Sequence, residues 1–164
     1  GREDQYTWTD PYMDNSQVVV VKKDSGINTL ADLAGKVVEV QKESAAETAL
    51  NDEEHADLTA SFAQLLSVGE YNTAFMNLEA GAADAVAMDI GVANYQIESR
   101  GGGFRILDDQ LSTEQYAVGF KLGNEALRDQ VQKTLDEMVE DGTLQKIAEK
   151  YADYGVPDAL CLGK

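Results

Sequence analysis

Basic residues are scarce in this sequence. Only 13 Lys and Arg stand against 30 Asp and Glu, which gives a formal net charge of −17 and a sequence pI of about 4.2. A surface of that charge repels phosphate backbones, so we exclude nucleic acid as a partner. A small ligand with an anionic group is not excluded, because a cleft can be locally basic on an acidic protein.

Long apolar runs and cysteine pairs are also missing. No stretch approaches the ~20 apolar residues that a membrane-spanning helix needs, and the longest β-like run is Val18–Val21. Cys161 is the single cysteine, so no disulfide forms within the chain. Two interpretations of it stay open, a reduced thiol without a role and a bond to a cysteine outside this sequence. A start without Met and without a signal peptide favours a processed or trimmed chain.

Residues suited to catalysis are few as well. The single histidine, His55, ends the acidic stretch Asp52–His55, which is more typical of a solvated helix face than of a general base. No Ser-His-Asp set can be proposed around it, and the carboxylates lack the spacing of metal ligands. We therefore expect no enzyme activity, no metal ion and no cofactor.

Strand and helix patterns alternate through the middle of the chain, from Gln17 to Leu107. The 43% hydrophobic content is enough for one domain or two small lobes. The alternation predicts an α/β fold with right-handed βαβ units and a largely parallel sheet. Strands are expected at Gln17–Val21, Val37–Val40, Leu65–Val68, Ala83–Asp89 and Phe104–Leu107, and helices at Thr29–Gly35, Ser44–Asn51, Tyr71–Ala80 and Ile90–Ser99.

The pattern changes after Leu107. We expect one more strand at Tyr116–Phe120, followed by two amphipathic helices in succession. Asn124 is a plausible N-cap of the first helix, and Asp141–Thr143 forms the turn between the two. Their apolar stripes consist of Leu127, Val131, Leu135 and Met138, then Leu144, Ile147, Ala148 and Tyr151.

Two strand-to-helix junctions carry candidate ligand groups, because ligands collect at the carboxyl ends of strands in open α/β sheets. At Gln41–Ala45 the N–H groups of a helix start suit a carboxylate, although Ser44 with Glu47 also fits a plain capping box. At the next junction Asp89 is suited to a ligand ammonium group or to capping its own helix. Together the two junctions predict a site that binds both the carboxylate and the ammonium group of a zwitterion.

Five ordered segments resemble one protein family. Gly35–Gln41 is similar to a G-K-x-V-x-V-Q motif, Ala83–Asp89 to x-D-A-V-x-x-D, and Asp141–Ile147 to D-G-T-x-x-K-I. Leu111–Phe120 resembles a returning hinge strand, and the opening residues 1–12 resemble the segment that leaves the first lobe. The chain thereby resembles the periplasmic-type amino-acid-binding proteins of ABC importers.

The resemblance implies a periplasmic-binding-protein-like α/β fold with one complete βαβ lobe and a partial second lobe. Residues 17–111 would form lobe 2, whereas 1–16 and 112–164 would be hinge strands and remnants of lobe 1. A large opening part of lobe 1 would then be absent. The lobes would close about hinge strands near Asp14–Gln17 and Ser112–Gln115.

The resemblance also implies a role for individual residues. Asp89 would hold the α-amino group of the ligand. The ligand carboxylate would be held by Arg2, Ser44 and the N–H of Ala45, and the side-chain pocket would be lined by Gln41 and Met88. The sequence departs from the family at Glu43–Ala45, where Gly-Thr-Thr or Gly-Thr-Ser is usual.

The function implied is the capture of an amino acid outside the cytoplasm, for delivery to an ABC permease in the membrane. Membrane association is expected only through that permease or a lipid anchor. The incomplete lobe 1 would expose its apolar stripes, so we expect a possible homo-oligomer or association with the absent segment. An enzyme of the same fold, such as a dehydratase, and a sensory domain of a membrane receptor are the alternatives.

Overall fold

The computed structural model describes residues 3–163 of the chain. They fall into two compact units. The central unit is Ser16–Thr113, and the terminal unit combines the chain up to Asn15 with the chain from Glu114 onward. Residues 17–111 as lobe 2 stay a prediction, as do 1–16 and 112–164 as parts of lobe 1.

The secondary structure confirms most of the expected elements between Gln17 and Leu107. The strands are β1 Tyr6–Trp8, β2 Met13–Lys22, β3 Val37–Gln41, β4 Gln64–Val68, β5 Ala85–Asp89, β6 Phe104–Tyr116 and β7 Gly119–Lys121. The helices are α1 Ala45–Asn51, α2 Ala56–Ser61, α3 Tyr71–Ala80, α4 Ile90–Ser99, α5 Glu125–Glu140, α6 Thr143–Glu149 and α7 Val156–Ala159. Short 3-10 segments lie at Glu3–Gln5, Leu30–Leu33, Glu53–His55 and Ala152–Tyr154.

Five strands form the sheet of the central unit, in the order β4-β3-β5-β2-β6. β3 pairs in parallel with both β4 and β5. β2 is antiparallel to β5, with Gln17 opposite Asp89 and Val21 opposite Ala85. A largely parallel sheet is therefore the right prediction for β3, β4 and β5 and the wrong one for β2. Helices separate β3, β4 and β5 along the chain, as parallel pairing requires, whereas only a 3-10 turn separates β2 from β3.

Helices cover both faces of this sheet, and the alternation of β2 side chains divides the core in two. Val19 and Val21 pack with one cluster, which includes Ala46 and Leu50 of α1. Val18 and Val20 pack with the other, which includes Ala74, Phe75 and Leu78 of α3 and Ala93 of α4. A strand that is buried on both faces reads as a continuous apolar run, which explains the four consecutive valines.

Several boundaries differ from the sequence-based expectation, and β2 already begins at Met13 rather than at Gln17. The strand expected at Phe104–Leu107 continues as β6 to Tyr116. β6 lies at the edge of the sheet, where exposed polar residues such as Asp108 are tolerated and hide the strand from a hydrophobicity pattern. The segment Thr29–Gly35 forms a 3-10 turn at Leu30–Leu33, which the Asp32 carboxylate caps by accepting from the N–H of Thr29.

A single strand at Tyr116–Phe120 is wrong, because Tyr116 ends β6 and β7 begins at Gly119. Between them, the Val118 N–H donates to the Thr9 hydroxyl, and the Thr9 N–H donates to the Val118 carbonyl. These bonds lead the chain into a two-stranded antiparallel sheet of β1 and β7, in which Trp8 lies opposite Gly119. A Cβ added at Gly119 would lie 2.7 Å from Trp8 Cζ3, so this position requires glycine.

The two expected helices of the terminal unit are present as α5 and α6. No residue of α5 is buried, and its stripe residue Leu127 is 45% exposed. The second helix ends at Glu149, so Tyr151 lies beyond it and is 50% exposed. Asn124 stands at the N-cap of α5 but makes no side-chain capping bond.

Candidate functional site

The candidate site lies where three parallel strands of the central unit end side by side. β4, β3 and β5 are neighbours, so the residues that follow them lie along one edge of the sheet. Ser44 follows β3, Tyr71 begins the helix after β4, and Asp89 ends β5. Helix starts at this edge also supply N–H groups and a partial positive charge.

Asp89 does not act as an ordinary capping residue. It occupies the N-cap position of α4, yet its side chain makes no capping bond to that helix. Instead, its Oδ1 accepts a hydrogen bond of 2.9 Å from the Nε2 of Gln17, the residue opposite it on β2. Of the two sequence-level interpretations, the plain N-cap is therefore wrong.

Ser44 does cap its helix. Its hydroxyl accepts from the N–H of Glu47 at 3.1 Å, which satisfies one donor of the first turn of α1. Glu47 departs from the expected capping box, because its carboxylate accepts from the N–H of Glu43 rather than from that of Ser44. The Ser67 hydroxyl also donates to Glu47, and these bonds lower the pKa of Glu47, the Ser67 bond most.

Glu43, which departs from the family pattern, has a backbone conformation that is unusual for its residue type. It is the one described non-glycine residue with a positive φ, 61°, in the left-handed region that glycine adopts without strain. Glycine is usual at this position in the family pattern, and it fits the φ that the backbone adopts here. The Glu43 side chain is 84% exposed, so its charge is directed into water rather than into the candidate anion site.

Tyr71 adds a buried hydroxyl to the same edge. Among the described residues, none lies in hydrogen-bonding geometry to the phenol oxygen. Burial is the main reason why the pKa of Tyr71 is raised to about 12, and the negative charge of Asp89 adds to the effect. The Ser44 hydroxyl lies near enough to lower the pKa slightly, although it does not reach hydrogen-bonding geometry.

The other expected site residues lie in different surroundings. The Nε2 of Gln41 donates to the carbonyl of Gly69 at 3.2 Å, which links the loops after β3 and β4. Ala45 is exposed at the first position of α1. Met88 is fully buried with the α3 and α4 cluster, on the strand face opposite to Asp89. Arg2 lies outside the described residues.

Asp84, in the motif before Asp89, has a structural role. Its carboxylate accepts from the N–H of Val37 at 2.9 Å, and its own N–H donates to the Val37 carbonyl. These two bonds join the start of β3 to the segment before β5, so the first aspartate of the motif fixes strand register and the second reaches the site edge.

A shallow groove that contains two lysines and two carboxylates lies at the other end of the sheet's strands, away from Asp89. It is lined by Lys22, Lys23, Asp24, Glu79, Gly102, Gly103 and Phe104. Because β2 is antiparallel to β5, Lys22 lies at the end of the sheet remote from Asp89. Within residues 3–163 no group of three or more His, Cys, Asp or Glu could hold a metal ion, and no helix could cross a membrane.

Most of the chain matches one known protein family. Residues 1–154 match the family described as bacterial extracellular solute-binding proteins, family 3. The chain belongs to this family. Members of known structure share its periplasmic-binding-protein-like α/β fold, which confirms the expected fold class.

Relatives in the family are named for amino acids. The arginine-binding protein 1 of an Escherichia coli ABC transporter is 28% identical over 155 residues, and an L-cystine-binding protein of Bacillus subtilis is 33% identical over 152. A histidine-bound ABC substrate-binding protein from Streptococcus pneumoniae has a TM-score of 0.79 at 28% identity. Each match covers 92% of this chain but only 60%, 54% and 62% of the respective relative.

Sequence reasoning missed Gln17 and Tyr71 at this edge. In sequence, Gln17 is only the first residue of an apolar strand, and the antiparallel pairing that brings it to Asp89 leaves no mark in its neighbours. Tyr71 is, in sequence, only the first residue of the helix expected at Tyr71–Ala80. Its position at the first turn after β4, directly beside the Ser44 junction, is the signal that could have identified it.

Proposed function

We propose that the protein captures an amino acid as the solute-binding component of an ABC importer. The observation that carries this proposal is the Asp89 carboxylate, which stands at the end of a parallel strand and is bonded to Gln17 instead of capping α4. A carboxylate at the carboxyl ends of the strands, where ligands bind in α/β sheets, can accept hydrogen bonds from an ammonium group. That group is the one positive group that all α-amino acids share. Relatives named as arginine-, cystine- and histidine-binding proteins support the same ligand class.

The carboxylate end of the ligand would be held by the junction after β3. In this proposal the Ser44 hydroxyl donates to the ligand while it still accepts from Glu47, because a hydroxyl can do both. The N–H of Ala45, in the first turn of α1, is the second donor. Arg2, Gln41 and Met88 remain in the proposal on the family resemblance alone.

The partners and location follow from the same proposal. The ligand would be released to an ABC permease, and the protein would work outside the cytoplasm, as relatives named extracellular or periplasmic do. We propose that it binds its ligand without converting it, since the matched relatives are described as binding proteins. A lipid anchor or the permease would hold it at the membrane.

Three residues of the apolar stripe of the terminal unit are exposed, while the others are half-buried or buried. Leu127, Ile147 and Tyr151 are each at least 41% exposed. The chain also spans only about 60% of the length of its relatives. We propose that further polypeptide covers this face, either a second copy or a segment beyond this sequence. Light scattering of the isolated chain checks this, and a strictly monomeric species with micromolar amino-acid affinity would contradict it.

The substitution Asp89→Asn tests the proposed function. Loss of the charged partner of a buried ammonium group costs about 3–5 kcal/mol, so we expect affinity to fall a hundredfold or more. Calorimetry on the protein at its natural full length, after a thermal-shift screen of the standard amino acids, measures this. Stability should change little, because the Asp89 side chain makes no capping bond and an amide oxygen at this position can still accept from Gln17. Unchanged affinity in this variant would reject Asp89 as a ligand residue.

A further inference from the structure

Gln17 is a buried polar residue among valines. It has no exposed surface and directly precedes the four valines of β2. In the antiparallel pairing of β2 with β5 it stands opposite Asp89. The core position alone would favour an apolar residue, so the amide requires another explanation.

The amide makes one hydrogen bond and leaves its oxygen without one. Nε2 donates to Asp89 Oδ1 at 2.9 Å, and the reverse orientation would place two oxygen acceptors against each other. The buried Oε1 of Gln17 has no partner among the described residues. An unpartnered buried carbonyl destabilises the folded state, so the side chain is retained at a cost to stability. Such exceptions to polar satisfaction are expected at functional sites.

We propose that Gln17 is a positioning residue that holds the Asp89 carboxylate ready for the ligand's ammonium group. This inference rests on the proposed function of Asp89. The Asp89 side chain does not cap α4, and the amide of Gln17 donates to its Oδ1 and so restricts its rotation. A carboxylate that is already oriented loses less conformational freedom when the ligand binds, which raises affinity.

The substitution Gln17→Met separates positioning from stability. Methionine has a similar length and volume but neither donates to Asp89 nor leaves a buried oxygen unpartnered. We expect the dissociation constant to rise roughly five- to thirtyfold, while the melting temperature stays equal or increases. A merely structural amide would give the opposite result, an unchanged affinity with reduced stability.

The chain offers a matched control in a second buried polar pair. Glu39 is 2% exposed, its Oε1 accepts from the Nδ2 of Asn77 at 2.8 Å, and its Oε2 has no described partner. Glu39 lies on β3 of the same sheet but points to α3 rather than to the site edge. Glu39→Gln should therefore leave amino-acid affinity unchanged.

A double-mutant cycle and a spectroscopic measurement complete the test. If Gln17 acts through Asp89, the affinity losses of Gln17→Met and Asp89→Asn are not additive. In the unmodified protein, amino-acid titration should shift the side-chain amide resonances of Gln17 and leave those of Asn77 in place, a measurement that does not depend on any variant folding. Wild-type affinity in Gln17→Met, additive losses or a silent Gln17 amide would overturn the inference. Wild-type affinity in Asp89→Asn would instead overturn the proposed function.

Discussion

The two units of this protein differ in how completely they bury their own apolar residues. The central unit encloses two clusters, on either side of a five-stranded sheet, and fully buries Phe75, Leu33 and Leu50. The terminal unit has a two-stranded sheet and helices, and the longest of these, α5, buries no residue. An amphipathic sequence pattern therefore predicts a helix in both units, but the apolar stripe of α5 is only partly buried, whereas α3 in the central unit fully buries Phe75 and Leu78.

Truncation of a core aromatic residue should give the largest effect and the sharpest contrast. Phe75 is fully buried, packs edge-on against Phe104 at 5.1 Å and lies under the Arg100 guanidinium at 4.9 Å. We expect Phe75→Ala to lower the free energy of unfolding by about 3–5 kcal/mol. Leu127→Ala on α5 should cost less than about 1 kcal/mol, because that side chain is already 45% exposed. Equal losses in denaturant titration would contradict the difference between the units.

The next largest effect is expected at the close contact between Gly119 and Trp8 in the terminal unit. Gly119→Ala would put a Cβ 2.7 Å from Trp8 Cζ3, and the indole must then move. We expect a loss of about 1–3 kcal/mol, with a change in Trp8 fluorescence. Gly91→Ala, in helix α4 with no atom within 4 Å of the added Cβ, is the control. That control should stabilise the central unit by about 0.5–1 kcal/mol. A tolerated Gly119→Ala would show that β1 and β7 pack loosely.

Backbone strain at the candidate site should give a smaller change in the opposite direction. Glu43 has a φ of 61°, so Glu43→Gly should stabilise the central unit by about 0.5–1 kcal/mol after the greater freedom of glycine in the unfolded chain is subtracted. Glu43→Ala removes the carboxylate but keeps the Cβ, and should give no gain. Thermal unfolding of both variants distinguishes strain from charge as the cause, and equal gains would favour charge.

The smallest effect is expected in acid. Hydrogen bonds lower the pKa of Asp32, first from the Asn28 N–H, and that of Asp141, first from the Thr143 hydroxyl. A carboxyl group whose pKa is lower in the folded state stabilises the protein above its unfolded pKa of about 4, and this stabilisation is lost as the pH falls further. The variants Asp32→Asn and Asp141→Asn should flatten the pH dependence of the unfolding midpoint between pH 5 and 2 in their own units. An unchanged slope would contradict this.

How much could be predicted from sequence depends on whether the information was local. The strong apolar patterns at Val37–Val40, Tyr71–Ala80 and Ile90–Ser99 gave elements at nearly the observed bounds. The apolar pattern alone did not predict β7 or the far half of β6, because short or exposed edge strands have no periodic apolar signal; only the family resemblance indicated a strand at Ser112–Gln115. The direction of β2 was also mispredicted, since pairing between distant segments is not encoded in their spacing.

The residues of the candidate site also differ in whether the local sequence could identify them. Ser44 and Asp89 could be identified because each follows a recognisable strand, and the capping role of Ser44 was among the alternatives. Gln17 could not, because it is 72 residues from Asp89 in sequence. The glutamate at position 43 itself gives no sign of a left-handed backbone, and only the glycine of the family pattern at this position indicates it.

The antiparallel strand β2 limits how this protein can change in evolution. Segments between compact units usually accept insertions and deletions, but β2 runs unbroken from Met13 in one unit to Lys22 in the other. Gain or loss of one residue before Gln17 would shift the strand register and turn each side chain to the opposite face. After the loss of one residue, Val18 would stand opposite Asp89. Insertions between the units should therefore accumulate elsewhere, and the length of this strand should vary less among relatives than its composition.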